Sequence, residues 1–446
     1  MKQIVPALSL ILCLVLSPAA AFAQAEPAAT PPALTEEEAA IVARVEANFG
    51  DSIAFLEEVV NINSGTMNHE GVRAVGHAFA GPFEALGFKV KWIEQDKVNR
   101  AGHFEAVKKG DQGAKLLLIG HLDTVFAKDG DFLEWSRDGD VAKGPGVVDM
   151  KGGDIVLLYA LKALDDLDLL DGAGVTVLMT GDEEMSGKPI DISRKDLIKA
   201  AKRVDVALNF EGGAEGEVVT SRRGASGWTL TTTGVRAHSS RIFSEEVGAG
   251  AIFEMGRILN DIYEALAEEE YLTFNPGVVV GGTDVKYDKE ATRGSAFGKT
   301  NVVAQKVVVD GGLRFISEEQ KEAAREKMRE IAAEHLPETG AEFAFEDSYP
   351  AMSPTDGNMA LLALVSDVSE DLGQGPLKGN DPSKRGAADI SFAAPHAPAS
   401  MDGLGPEGGA GHTPDEWLDI PSVKAATARA ALIIYRLTRE DAPSFE

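Results

Sequence analysis

Acidic and histidine motifs in this chain each follow a short apolar run: His121-Leu122-Asp123, Asp149, Asp182-Glu183-Glu184, Glu211 and His412. Zinc takes imidazole nitrogen and carboxylate oxygen in four-coordinate sites, and a catalytic zinc keeps one position for water. Two histidines and three carboxylates, one of them shared, would give each of two zincs three protein ligands and leave the last place to a bridging hydroxide. The charges close as well, because Asp149, Glu184, Glu211 and one hydroxide offset the four positive charges of two Zn²⁺. The set has the inventory of a two-metal hydrolase.

Within the set the motifs carry different weight. His121 and Asp123 are alternate residues of an extended segment and share a face. A ligating histidine usually gives its second N–H to a carboxylate, and Asp123 is placed to be that partner. In Gly144-Pro145-Gly146-Val147-Val148-Asp149-Met150-Lys151-Gly152-Gly153 the glycines let backbone bend around an ion, and a helix starting just beyond puts its positive end beside Asp149. Glu183 and Glu184, directly after an apolar strand, would repel each other unless a cation stands between them or one holds a proton. A hydrolase needs both a ligand and a proton shuttle, so Glu184 is assigned to the metal and Glu183 to general base and acid.

The elements that must position these groups are legible as alternating apolar runs and helical patterns. Thr35 and Glu38 form a capping box that opens a helix through Ile41, Val42, Val45 and Phe49. The runs Lys115 to Ile119, Gly174 to Met179 and Val204 to Phe210, with a helix after Gly153, predict buried strands of a mostly parallel sheet. In such sheets chemistry sits at the carboxyl ends of strands, where His121, Glu183, Glu184 and Glu211 fall.

From Trp228 onward the order changes to strand (Trp228 to Thr233), helix (Gly248 to Glu268), strands (Leu272 to Val280, Val302 to Phe315), helix (Glu318 to His335, capped by Ser317 and Gln320) and strand (Ala341 to Phe345). That β-α-β-β-α-β order predicts a two-layer insert. The fold class is therefore α/β: residues 35–222 and 347–440 form the mostly parallel-sheet domain, interrupted by the insert at 223–346. A helix near Asn358 to Leu372, a glycine-rich stretch and a closing helix from Pro421 to Leu437 complete it.

Composition sets the frame. The chain has 446 residues and a net charge of −28, a surface that repels nucleic acid and anionic membranes, so neither is an expected partner. Residues 1–23 carry Lys2, an apolar run to Leu16 and the ending Ala21-Phe22-Ala23, the pattern of a cleaved secretory signal. Residues 24–34 are a Pro/Ala leader with too few large apolar groups to fold. Cys13, inside the signal, is the only cysteine, which fits a periplasmic or secreted protein that has no disulfides and is free of the membrane once the signal is removed.

The ordered combination His121-x-Asp123, Asp149, Glu183-Glu184, Glu211 and His412 resembles the co-catalytic di-zinc peptidases of metallopeptidase family twenty, which include glutamate carboxypeptidases, desuccinylases and aminoacylases. The resemblance covers essentially the whole chain after residue 23. It implies that His121, Asp149 and Glu211 hold one zinc, that Asp149, Glu184 and His412 hold the other, and that the insert is a lid and dimerisation domain. Within the insert it implies that His238, in Arg236-Ala237-His238-Ser239, completes the active site of the partner in a homodimer and polarises the scissile carbonyl. Asn301 and Arg314 match residues that hold the substrate carboxylate.

The resemblance also bears on the reaction. Glu211 matches the branch of carboxypeptidases and desuccinylases, where di- and tripeptide aminopeptidases and aminoacylases carry Asp, so the expected substrate is a small peptide or an N-acyl amino acid with a free carboxylate. An aminopeptidase or dipeptidase is the alternative within the family; an exported metal- or peptide-binding protein without turnover is the alternative outside it, and Glu183 argues against that one. Three features depart from the carboxypeptidase pattern. Gly386-Ala387-Ala388-Asp389 replaces a hydroxyl-bearing stretch. No arginine lies in Asp347-Ser348-Tyr349-Pro350-Ala351 to read an acidic side chain. Glu407 and glycines 403, 405, 408, 409 and 411 predict a loose approach to His412.

Overall fold

The apolar run at Lys115–Ile119 is the middle of a strand, Gln112–His121, inside a six-stranded sheet. In a computed structural model describing residues 34–445, the sheet order is Lys89–Gln95, Arg100–Lys108, Ala173–Thr180, Gln112–His121, Val206–Asn209, Ala399–Met401. The signal segment, and the leader apart from Leu34, lie outside the described residues. The last four strands pair in parallel and the first two antiparallel, so the sheet is mixed with a parallel centre.

The continuous apolar character of the central strand has a direct cause. Leu116 and Leu118 face one core, with the helices Glu36–Val60, Gly152–Asp165 and Ile420–Leu437. Leu117 and Ile119 face the other, against Leu197 of the helix Lys195–Ala201 and Ile390 of the turn of helix Ile390–Ala393. A strand covered on both sides cannot alternate with polar residues. The Thr35 capping box forms, with Thr35 Oγ1 accepting from Glu38 N and Glu38 Oε2 from Thr35 N. Asp419 caps the closing helix through Ser422 N, with Pro421 in its first turn.

The insert is a lid: an antiparallel sheet ordered Thr273–Gly282, Lys306–Phe315, Gly224–Gly234, Thr339–Tyr349, with the helices Ala251–Leu266 and Glu318–Ala333 against one face. Its own core contains Trp228, Leu230, Val309, Phe315, Ile258 and Met328. The insert's first and last strands in chain order are longer than the apolar runs suggested, starting at Gly224 rather than Trp228 and ending at Tyr349 rather than Phe345, because strand pairing extends past the residues that face the core. Ser317 caps the second helix through Gln320 N, while Gln320 Oε1 reaches Ile316 N. A hairpin, Asp284–Asp288 with Arg293–Phe297, was not legible in the sequence. Its second strand is exposed throughout and its first offers only Val285 and Tyr287 as alternating apolar residues, too short a pattern to mark a strand, and Tyr287 ties it to the sheet by donating to Asp310.

One close approach draws the site together. A Cβ on Gly153 would stand 1.8 Å from the Phe210 carbonyl oxygen, so only glycine lets the Gly152–Asp165 helix start against the segment that carries Glu211. Gly153→Ala therefore forces backbone apart. It should destabilise the protein by about 1–3 kcal/mol, the usual cost of overpacking, and lower metal content at limiting metal, as read by denaturant titration and metal analysis; an unchanged midpoint would contradict this.

Candidate active site

The candidate residues gather where the parallel strands end. His121 is the last residue of its strand, Asp182–Glu184 follow Thr180, and Glu211 follows Asn209 by two residues. Asp149 lies in the turn before the Gly152–Asp165 helix, and the Asp149–Met150 peptide is cis. His412 comes from the loop before the strand Trp417–Asp419, in the left-handed region at φ 64. For a residue with a side chain that conformation costs about 1–3 kcal/mol and persists where surroundings impose it.

Asp149 divides its two oxygens between two neighbours. Oδ1 lies 3.2 Å from His121 Nε2, and Oδ2 lies 3.0 Å from His412 Nε2. Glu211 Oε1 is 3.6 Å from the same His121 nitrogen, and Glu184 Oε2 is 3.0 Å from His412 Nε2. Donor atoms of His121, Asp149 and Glu211 all lie within 4.8 Å of one another, as do those of Asp149, Glu184 and His412. A tetrahedral ion with bonds of about 2.0–2.1 Å spaces its ligand atoms roughly 3.3 Å apart. The two groups match that edge, and buried Glu184 Oε1 has no hydrogen-bond partner among the described residues. The residues fit two divalent cations sharing Asp149.

The electrostatics point the same way. Burial, reinforced by Asp389, Glu211 and Glu184, pushes the Glu183 carboxyl well above its ordinary range. Burial raises Glu184 to about 8 and, with Asp149 beside it, raises Glu211. Burial acts against Asp149 too, but hydrogen bonds from His121 and His412 hold it below the usual carboxylate range. The hydrogen bond to Asp149 lifts His412 to about 9. Without other cations the cluster can neutralise itself only by taking up protons, which divalent ions would displace. Glu183 belongs to neither donor group, and so remains free to exchange a proton.

Asp123 does something other than expected. His121 Nδ1 is 3.0 Å from the Asp123 backbone carbonyl and 3.6 Å from its carboxylate. A backbone acceptor orients the ring equally well. The carboxylate instead accepts from Thr66 Oγ1 at 2.6 Å, Glu183 N at 3.0 Å and Glu184 N at 3.2 Å, so it holds the glutamate turn.

Other supports were not legible from spacing. Asp182 is buried against Arg194 at 2.6 Å, and Arg194 also reaches Asp389 at 2.7 Å. The Asp389 carboxylate accepts from Thr180 as well, so this aspartate braces the fold. Tyr349, at the end of the lid's last strand, bonds Ser186 and donates to the Glu183 carbonyl at 3.4 Å. His103 Nδ1 accepts from Gly181 N at 3.2 Å. Glu416, four residues after His412, accepts from Gly146 N, Val148 N and Asp149 N at 2.9–3.1 Å, while the buried Lys151 ammonium donates to the carbonyls of Val59 and Ile62, both at 2.9 Å. The glycine-rich stretch before His412 is hydrogen-bonded at several of its glycines. Gly405 N donates to Glu211 O, Gly213 N to Pro406 O, and Gly408–Gly409 pair with Trp417–Leu418. A Cβ on Gly405 would meet the Phe210 oxygen at 2.5 Å, so glycine there serves close packing.

The lid residues separate into two places. His238 pairs with Val302, and Ser239 N donates to Asn301 O, so His238 and Asn301 are neighbours. Ser240 N donates to His238 Nδ1, which leaves Nε2 as the ring's N–H in a neutral imidazole. Arg314 is in register with Ala225 and Thr273 at the opposite end of the sheet, where the chain enters and leaves the lid. The ten-residue strand between them, at about 3.3 Å per residue, makes the separation roughly 30 Å. One chain does not bring Arg314 and the His238–Asn301 pair to one substrate. A cleft of about 400 Å³ opens beside Glu184, lined by Met67, Asn68, Val125, Lys128 and Met185 among others.

The Asp123 geometry gives a test. Asp123→Asn places an amide N–H₂ against one of two backbone N–H donors, and loss of such a supporting group costs about 10- to 100-fold. The variant should stay folded and keep its metals at saturating metal while kcat falls by that factor. Wild-type kcat in Asp123→Asn would show that the turn is held without it.

Residues 117–436 match the model of Peptidase family M20/M25/M40. Carboxypeptidase G2 of Pseudomonas sp. (strain RS-16) is 28% identical over 393 residues, covering 86% of this chain and 89% of that one. Among solved structures, the aminopeptidase PepT of Bacillus cereus superposes with a TM-score of 0.65 at 18% identity, covering 87% of this chain and 98% of its own. A dinuclear metal-binding peptidase of Bacillus subtilis gives 0.59 at 14% identity, covering 88% and 99%. These two likenesses concern the fold, α/β with a lid. With the family match spanning most of the chain, and the donor groups at its strand ends, this chain belongs to Peptidase family M20/M25/M40 and is a hydrolase of the metallopeptidase and amidohydrolase kind.

Proposed function

We propose that the protein is an exported, zinc-dependent hydrolase that cleaves the amide bond of C-terminal peptides or N-acyl amino acids, with Glu183 as general base and acid. The observation that carries this reading is the division of Asp149 between two donor groups, with the Glu183 carboxyl outside both but within electrostatic reach of His121, Glu184 and Glu211. His121, Asp149 and Glu211 would hold one ion, and Asp149, Glu184 and His412 the other. Bound there, two divalent ions supply Lewis acidity, which acidifies water and polarises a carbonyl. Glu183 takes a proton from the water that attacks the carbonyl carbon, then passes it to the leaving nitrogen as the C–N bond breaks.

The carboxylate preference rests on Glu211 and on the similarity to Carboxypeptidase G2 over most of both chains. Arg314 and Asn301 would hold the substrate's free carboxylate. The roughly 30 Å between Arg314 and the His238–Asn301 pair supports a homodimer in which His238 and Asn301 serve the partner's site, the free His238 Nε2–H donating to the developing oxyanion. The signal-like residues 1–23 support export to the periplasm or beyond.

Glu183→Gln should keep both metals by elemental analysis and lose about 10²- to 10⁴-fold in kcat on N-acyl amino acids, the usual contribution of a general acid–base group. Full turnover in a metal-loaded Glu183→Gln protein refutes the assignment. Amidating the substrate's free carboxylate should abolish cleavage, whereas cleavage that instead requires a free amine identifies an aminopeptidase. Mixing His238→Ala with Glu183→Gln chains should restore part of the activity through one intact composite site per heterodimer. No recovery after proven subunit exchange means that each chain is self-sufficient.

A further inference from the structure

The segment Arg385–Asp389 crosses the strand ends from Glu211 to the Glu183 turn and is fastened along its length. Arg222 Nη1 donates to Gly386 O at 2.8 Å, and Arg222 is itself fixed by Asp402 at 2.6 Å. Asp389 is bound by Arg194 and Thr180. Just before the segment, Arg223 Nη2 donates to Ser383 O at 3.3 Å. Arg385 is half-buried on this span, and its Nη2 donates to Gly212 O at 2.9 Å. Gly212 directly follows Glu211, one Cα step of about 3.8 Å away.

Arg385 lacks the counter-charge that Arg194 and Arg222 have. Arg194 and Arg222 each lie on an aspartate, whereas Arg385 forms no ion pair within 4.0 Å among the described residues. One hydrogen bond to a neutral carbonyl occupies one of five N–H donors. Partial burial of an unpaired cation is costly unless an anion meets it. The Arg385 guanidinium is held at the carbonyl of the residue that follows Glu211, at the edge of the acidic site. The guanidinium fork matches a carboxylate with two parallel hydrogen bonds.

We propose that Arg385 is a specificity-determining residue that pairs with a second carboxylate on the substrate, distinct from the free carboxylate next to the scissile amide. This deepens the reading above and rests on it. It supplies the additional cation that the sequence around Asp347–Ala351 lacks. The second carboxylate has two possible sources, the side chain of a departing acidic amino acid or the far end of a dicarboxylic acyl group.

The test compares N-acetylglutamate with N-acetylglutamine, and N-succinylalanine with N-succinamoylalanine, in wild-type and Arg385→Gln enzyme. One pair should show an acid preference in wild type, and that pair identifies the source. Its acid-to-amide ratio of kcat/KM should fall roughly 10- to 150-fold in Arg385→Gln, with Arg385→Lys retaining part of it. A purely structural role, fixing Gly212 and with it Glu211, lowers both members together; an unchanged ratio therefore overturns the proposal, as does a wild type that cleaves both members of each pair equally. Calorimetric binding of glutamate against glutamine, and of succinate against succinamate, reads the same selectivity without turnover. If none of the four amides is cleaved, the hydrolase reading fails. Acid-selective binding that is lost in Arg385→Gln then still supports Arg385, and binding without selectivity, or no binding, overturns it.

Discussion

The structure depends on keeping several carboxylates within a few ångströms of one another. Asp149, Glu183, Glu184 and Glu211 meet at the strand ends, with the imidazoles of His121 and His412 as the positive partners in direct contact with Asp149, Glu184 and Glu211. Like charges in a desolvated place either take up protons or collect cations. The raised proton affinities of Glu183, Glu184 and Glu211 are the first response, and the paired donor groups around Asp149 provide for the second.

Much of the surrounding fold holds those groups in place against their repulsion. The main devices are buried acids that accept backbone N–H groups: Asp123 for the Glu183–Glu184 turn and Glu416 for the Asp149 turn. Buried ion pairs, Asp182 and Asp389 with Arg194 and Asp402 with Arg222, fix the segments behind. Such pairs add little net stability because desolvation offsets their attraction. Breaking one leaves a bare buried charge, so they specify one arrangement strongly. Glycines contribute where backbone meets backbone, at Gly153 and Gly405.

Part of this was legible in the sequence. The strands announced themselves because a sheet covered on both faces must be apolar along its length, as in Leu116–Ile119. The donor residues were readable because ligand chemistry restricts residue type and strand ends restrict place. The lid's order of elements was readable from alternating patterns, whereas its hairpin was not, since Val285 and Tyr287 alone make too short a period and the second strand is exposed throughout. The supports were hidden for another reason. Arg194, Arg222, Glu416 and His103 act through contacts distant in sequence, and a buried arginine looks like any other in a string of letters. The role of Asp123 was misread because the spacing in His121-x-Asp123 does not tell whether the ring meets the carboxylate or the carbonyl. The glycines near His412 suggested looseness, since the same residue serves both freedom and close packing.

The central claim, two cations sharing Asp149, is tested most directly by anomalous diffraction from crystals of metal-loaded protein, together with metal counting in solution. The account predicts two ions per chain, about 3.5–4 Å apart as in other two-metal sites, one between His121 and Glu211, one between Glu184 and His412, with one Asp149 oxygen on each. A single ion, or two ions without Asp149 between them, would contradict it.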